Sequence, residues 1–194
     1  MCDLKNKVVI CLLGGPGSGK GTLSELIKKN YNNVGYMSAG ELLRGAAAAD
    51  TPEGRALAEQ LRRGEIVPQE ITIGLLREQI EKQDKDFYLI DGFPRQVDQA
   101  QTFEDTVVAP KAVLFLSVSD DVLIKRLLNR GKTSGRSDDN EESIRLRIDV
   151  YHKKCLPVNE YFGERLTKID ANRTPMEIFE EVKKIINKIL ENNK

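Results

Sequence analysis

Five short apolar runs punctuate the chain, and between them apolar positions recur at helical spacing. The runs are Val8 to Leu13, a brief one at Gly35 to Met37, Phe87 to Ile90, Ala112 to Val118 and Leu166 to Ile169. Runs of this length, bounded by turn residues and rich in Val, Ile and Phe, predict strands. Leu23, Leu26 and Ile27, and later Phe179, Val182, Ile186 and Ile189, fall three or four residues apart, so each set lies on one face of a helix. Strands that read as continuous apolar runs, alternating with helices, predict a five-stranded parallel sheet covered on both faces, an α/β protein of three layers. Two polar segments interrupt the alternation, roughly 40–70 and 131–140. Both read as insertions at the carboxyl ends of strands, where such folds bind ligands. The block GAAAAD at 45–50 is a good helix former inside the first. The C-terminal helix, ending in ILENNK, is expected to pack on the sheet and fray at its charged tip. No repeat, long linker or low-complexity tract breaks the chain, which reads as a single domain over 1–194.

Charge narrows the partners. Lys plus Arg and Asp plus Glu both number 30, giving no net charge, which argues against binding a nucleic-acid polymer. No stretch approaches 18 consecutive apolar residues, and MCDLKNK is too polar for a secretory leader. The expectation is a soluble intracellular protein, cytoplasmic with the nucleus open to it, and without a membrane partner. Cys2, Cys11 and Cys155 are odd in number and far apart, which suits reduced thiols better than a disulfide or zinc framework.

The chemistry begins at residues 14–22, GGPGSGKGT, directly after VVICLL. Glycines let a tight turn bring backbone N–H groups onto an anion, and a helix starting near Lys20 adds its positive dipole end. Lys20, the single charge among the nine, can then reach the β and γ phosphates. Gly14, four residues, Gly19 and Lys20 satisfy most of the P-loop signature, but Gly21 stands where a magnesium-binding Ser or Thr follows the lysine, and Thr22 comes one place later. Magnesium is therefore expected to be held mainly through water and phosphates. No G-x-G-x-x-G occurs, which removes a dinucleotide fold, and no N-K-x-D is present to read guanine. Arg44, Arg95, Arg126, Arg130, Arg136 and Arg147 sit beside the two insertions. A lone surface arginine is ordinarily a solvated charge, but two nucleotides brought end to end need dense, fixed positive charge.

GGPGSGKGT, SAGELLR, GEIVPQEIT, LIDGFPR and RGKTSGRSDDN, in that order over nearly the whole chain, resemble the nucleoside monophosphate kinases of the P-loop class. The similarity is greatest to the UMP-CMP kinase branch, with short-lid adenylate kinases next. The resemblance implies transfer of the γ-phosphate of Mg-ATP to a nucleoside monophosphate by a monomer, with ATP as donor and Mg2+ as cofactor. It implies a monophosphate-binding insertion at about 38–67 and a short lid at about 130–140, without the zinc cluster of some long-lid relatives. Gly15, Pro16, Gly17, Ser18, Gly19, Lys20, Gly21 and Thr22 would hold the ATP phosphates, and Arg126 would stack on the ATP base. Arg173, with Asn172, would approach that base through its backbone, although Asn and Arg in such a loop are ordinarily turn residues. Ser38, Ala39, Arg44, Glu65, Ile66, Val67, Gly92, Phe93, Arg95 and Gln99 would form the monophosphate side, with Arg44 and Arg95 as the clamp. Arg130, Arg136 and Arg147 would surround the transferring group. Asp91 would orient magnesium-bound water, while Asp138 and Asp139 would organise the lid by pairing with arginines.

No nucleophile or general base is required, because the attacking phosphate oxygen is already anionic. His152 lies outside every motif and reads as structural. Mutual repulsion among the arginines is expected to favour an open cleft until substrates neutralise them. Within the family resembled, Ala39 and Phe93 match the pyrimidine branch and Gln99 the adenylate kinases, although some pyrimidine-specific members share it, so the resemblance orders the acceptors as UMP, then CMP, then AMP. An adenylate kinase is the alternative. A nucleotide-binding regulator without catalysis would need a broken clamp, whereas Lys20, Arg44, Arg95, Arg136 and Arg147 are all present.

Overall fold

The computed structural model describes residues 4–136 and 139–193. Strands β1 (Val9–Gly14), β2 (Val34–Ser38), β3 (Phe87–Asp91), β4 (Ala112–Ser117) and β5 (Leu166–Asp170) form one parallel sheet in the order β2-β3-β1-β4-β5. Each predicted strand is present, with its ends moved by a residue or so. The register pairs Leu12 with Asp91 on one side and with Leu114 on the other, so the central strands finish nearly level.

Side chains of a strand alternate between faces, and here both faces are covered, which is why the central strands read as unbroken apolar runs. Ile10, Leu12, Leu89 and Leu114 pack on one side against α1 (Lys20–Asn30) and α9 (Pro175–Glu191) through Leu23, Ile27, Phe179 and Val182. Val9, Cys11, Ile90 and Val113 face the other way. They meet Leu76 of α4 (Gln69–Glu81), Phe103 of α5 (Val97–Thr106), Leu123 of α6 (Asp120–Gly131), Ile148 of α7 (Glu141–Val150) and Phe162 of α8 (Pro157–Phe162). Each fully buried side chain of this size contributes about 2 kcal/mol. The edge strands differ. Val34, Tyr36 and Ser38 of β2 are only half-buried, alternating with buried neighbours, and β5 exposes Thr167 and Lys168.

The first insertion folds into α2 (Ala39–Ala47) and α3 (Pro52–Arg62), with a small core of its own at Leu43, Leu57 and Val67. Ser38 Oγ caps α2 by accepting the Glu41 N–H, and Thr51 Oγ1 caps α3 by accepting from Gly54. The expected helix over 45–50 is cut short at Ala47. Pro52 forces Thr51 into an extended conformation (φ −130°, ψ 160°), and Pro52 then opens the next helix.

A second departure follows α7. Tyr151–Cys155 forms a π-helical turn, in which the Leu156 N–H donates to the Tyr151 carbonyl at 3.0 Å. Pro157 lacks an N–H and its ring would crowd the carbonyl four residues back in a regular helix, and the wider turn accommodates it. Among the described residues no helix is long and apolar enough to cross a membrane.

Candidate active site

A cleft of about 620 Å³ lies over the carboxyl ends of β1, β3 and β4. Its floor is the glycine loop from β1 into α1. Gly19 closes that loop at φ 103°, a left-handed conformation that a side chain resists, and α1 starts at Lys20 with no side-chain cap on its first turn. The free N–H groups and the dipole of α1 therefore serve the cleft, which Gly19, Lys20, Gly21 and Thr22 all line. Lys20 folds back along the loop, its Nζ donating to the Gly14 and Gly15 carbonyls at 2.8 and 3.0 Å. Burial pushes its ammonium from the ordinary 10.5 down to about 8, with Asp91 opposing the shift and Arg95 and Arg147 adding to it.

Asp91 ends β3 beside the lysine and is buried. Burial pushes its carboxyl up, while Lys20 pulls the other way, and Oδ2 accepts from the Tyr36 hydroxyl at 3.3 Å. After β3 the chain passes Gly92 and a cis Phe93–Pro94 bond to reach Arg95. The Arg95 Nε donates to the Gly92 carbonyl at 3.0 Å, and its backbone N–H to Gln99 Oε1 at 2.9 Å. Arg44 extends into the cleft from α2, and Arg136 from the second insertion. At the opposite end Arg126 is fixed by two backbone carbonyls, Ser18 at 3.3 Å and Ala171 at 3.1 Å. Arg173 donates to the Asp170 carbonyl at 3.0 Å and bonds to Glu181.

Arg130 and Arg147 meet on one carboxylate. Asp139 accepts Arg130 Nε and Nη2 at 2.7 and 2.6 Å, Arg147 Nη1 at 3.1 Å and the Ser134 hydroxyl at 3.1 Å. Burial works to raise its carboxyl, but the hydrogen bonds and charges of the two arginines hold it below the usual range. Asp139 thus pairs with arginines, the contact expected of it, and gives two of them a counter-ion that offsets part of their mutual repulsion. Asp139→Asn should lower stability by about 2 kcal/mol, between the values for exposed and fully buried pairs because Asp139 is buried while Arg130 is 35% exposed. That corresponds to a melting temperature about 5 °C lower, readable in a thermal melt; an unchanged melt would mean that charge does not hold the cluster together. Asp138 lies outside the described residues.

The first insertion touches α7 beside this cluster. Ser143 Oγ donates to the Arg62 carbonyl at 3.0 Å, and Gly64, at φ 70°, comes so close that a Cβ there would meet Arg147 Cγ at 2.7 Å.

The cleft therefore gathers residues 16–22, Ser38, Arg44, Asp91, Gly92, Arg95, Arg126, Arg130, Arg136, Arg147 and Arg173. Ala39, Ile66, Val67, Phe93 and Gln99 line a small side pocket that shares Gly92 and Arg95 with it. Gln99 Nε2 there donates to the Val67 carbonyl at 3.5 Å, so one donor hydrogen and one lone pair of its amide are left. Gly15 faces Leu123 and Tyr151 rather than the cleft. Glu65 lines neither space; its side chain is exposed, 3.9 Å from Arg63. His152 bonds Asp120 at 2.8 Å on the surface. Besides the arginines already named, four polar side chains of the cleft lie outside the motifs: Tyr36, Tyr151, Cys155 and Asn159. A signal existed, since Tyr36 shares a face of β2 with Ser38, and Arg147, Tyr151, Cys155 and Asn159 recur every four residues.

Among the described residues no three His, Cys, Asp or Glu side chains come together as a metal site. Asp91 and Glu41 are the carboxylates that line the cleft, and with no hydroxyl directly after Lys20 they fit a hard cation carried mainly on substrate phosphates and waters rather than a protein cage.

This sheet order, with a glycine loop feeding a helix N-terminus under converging arginines, defines a P-loop kinase of small nucleotides. The adenylate kinase family model matches residues 12–167. Uridylate kinase of Saccharomyces cerevisiae is 44% identical over 184 residues, 92% of this chain and 90% of the relative. That of Schizosaccharomyces pombe is 42% identical over 184 residues, 92% and 96% of the two chains. Adenylate kinase isoenzyme 1 of Cyprinus carpio is 38% identical over 190 residues, 96% and 97%. The chain belongs to the adenylate kinase family and is a nucleoside monophosphate kinase.

Proposed function

We propose that this enzyme moves the γ-phosphate of Mg-ATP to pyrimidine nucleoside monophosphates, UMP first and CMP second, with slower use of AMP, and that it works as a monomer. The observation that carries the phosphotransfer is the convergence of Lys20, Arg44, Arg95, Arg130, Arg136 and Arg147 over the loop at the start of α1. The end of the cleft lined by Arg126, Ala171, Arg173 and Ile178 takes ATP, with the Arg126 guanidinium held flat for the base by its two carbonyls. Arg44 and Arg95 grip the monophosphate at the other end, facing the γ-phosphate.

Magnesium would arrive with the nucleotide, held through phosphates and water with Asp91 beside it, and would neutralise charge on the transferring phosphates. Lys20 leaves the loop carbonyls to follow the phosphoryl group, and Arg130, Arg136 and Arg147 stabilise its charge between donor and acceptor. The attacking oxygen is already an anion, so position and fixed charge do the work of a base. Residues 38–67 and 130–140 act as flap and lid and exclude water, which would otherwise accept the phosphate.

The pyrimidine preference is supported by Ala39 and Phe93 in the side pocket and by the similarity to uridylate kinases. Gln99 in the same pocket favours AMP as the second reading. Initial rates with the five common monophosphates at equal concentration test both. UMP and CMP should exceed AMP by about tenfold, the discrimination expected of a single pocket contact. AMP in first place would reverse the order, and no ADP with any acceptor would remove the kinase reading.

A further inference from the structure

Tyr36 belongs to none of the motifs that carry the phosphate chemistry, yet its side chain enters the cleft beside Lys20 and Asp91. Its place is set by β2. Ser38 pairs with Asp91 and Tyr36 with Leu89, so Tyr36 stands two residues upstream on the face that Ser38 presents to the cleft. The ring packs among the apolar side chains between sheet and α1, and Lys28 Nζ lies 4.8 Å from its centroid. The ring is thus held at its sides, and the hydroxyl is the polar atom that reaches Asp91 Oδ2, at 3.3 Å.

Among the described residues, that is the one hydrogen bond made to the Asp91 carboxylate. Lys20, the nearest cation in the loop, gives its hydrogens to the Gly14 and Gly15 carbonyls, and Arg95 gives Nε to the Gly92 carbonyl. A buried carboxylate without a neutral partner would draw one of these cations onto itself. Lys20 or Arg95 would then be withheld from phosphate. A phenol satisfies the carboxylate without removing a cation from the site, and burial pushes its ionisation well above neutral pH, so it remains a donor.

We propose that Tyr36 is a positioning residue for the phosphoryl transfer: its hydroxyl fixes the Asp91 carboxylate toward the metal-bound water and keeps it from pairing with Lys20 or Arg95. This rests on the phosphotransfer reading above. An outer-sphere carboxylate acts only if its direction is held, and Asp91 has two side-chain torsions that nothing else among the described residues restrains by hydrogen bonding.

Tyr36→Phe keeps the ring and removes the hydroxyl. The expected result is a kcat about tenfold lower, with KM for the monophosphate changed less than about twofold and a melting temperature close to that of the parent. Calorimetric titration with ATP, once with magnesium and once with EDTA, supplies a readout apart from turnover. The gain in ATP affinity brought by magnesium should shrink several-fold in Tyr36→Phe and in Asp91→Asn alike, while affinity for metal-free ATP stays put. In the Asp91→Asn background, Tyr36→Phe should add nothing further. A parental kcat with an unreduced magnesium gain would overturn the proposal, as would a full tenfold loss on top of Asp91→Asn. Full activity of Asp91→Asn would overturn it too, through the role of Asp91. The wider phosphotransfer reading fails by a different result, the absence of ADP from the parent enzyme with every monophosphate.

Discussion

Replacing Arg95 by alanine is expected to lower kcat/KM for the monophosphate about 10³-fold while the protein stays folded. The side chain lines the cleft, donates Nε to the Gly92 carbonyl and belongs to neither apolar core, so truncation opens no cavity among packed side chains. The contact that matters for the bend, the Arg95 N–H to Gln99 Oε1, belongs to the backbone and survives the substitution. What disappears is a guanidinium in the cleft, which on the proposed reading grips the monophosphate. Kinetics with a matched thermal melt check this. Near-parental kcat/KM would mean that the monophosphate sits elsewhere, and a collapsed melt would mean that Arg95 is structural.

Lys20→Met should cost about as much, on the order of 10³-fold in kcat, and should make the fold more stable. The ammonium is held below its ordinary range chiefly by burial, so the folded state carries a charge that it binds poorly. Removing it should stabilise by about 1 kcal/mol after the two lost bonds to Gly14 and Gly15 are counted, or about 3 °C in the melt. The pH dependence has a definite sign. Between pH 8 and 10.5 the unfolded chain keeps a proton that the folded Lys20 has lost, so this residue makes stability rise with pH across that window. The rise should vanish in Lys20→Met. Activity moves the opposite way: kcat/KM for ATP should fall as pH passes about 8, because the free enzyme loses the charge that receives the phosphates. A flat profile through pH 9.5 would place the working lysine in a different environment.

The sheet was legible because its central strands are covered on both faces, and Val9–Leu13 or Ala112–Leu116 can be apolar at every position. The glycine loop was legible for a local reason: the turn, the anion and the helix start all constrain the same nine residues. Features made by distant segments were not. Nothing in VGYMS says that Tyr36 will bond a carboxylate 55 positions away. The π turn depends on how Pro157 meets the end of α7, which periodicity alone does not report. Glu65, named from a matching motif, shows how little a motif says of side-chain direction: its carboxylate is exposed beside Arg63.

The carboxylate shared by Arg130 and Arg147 also bears on how nucleotides arrive. A bare cluster of guanidinium groups would attract polyanions over long range, and binding would weaken steeply as salt is added. With one fixed negative charge embedded at their meeting point, the far field of these two guanidinium groups is partly cancelled while their hydrogen-bonding capacity at short range remains. Capture should therefore weaken with added salt less steeply than the number of arginines alone would give.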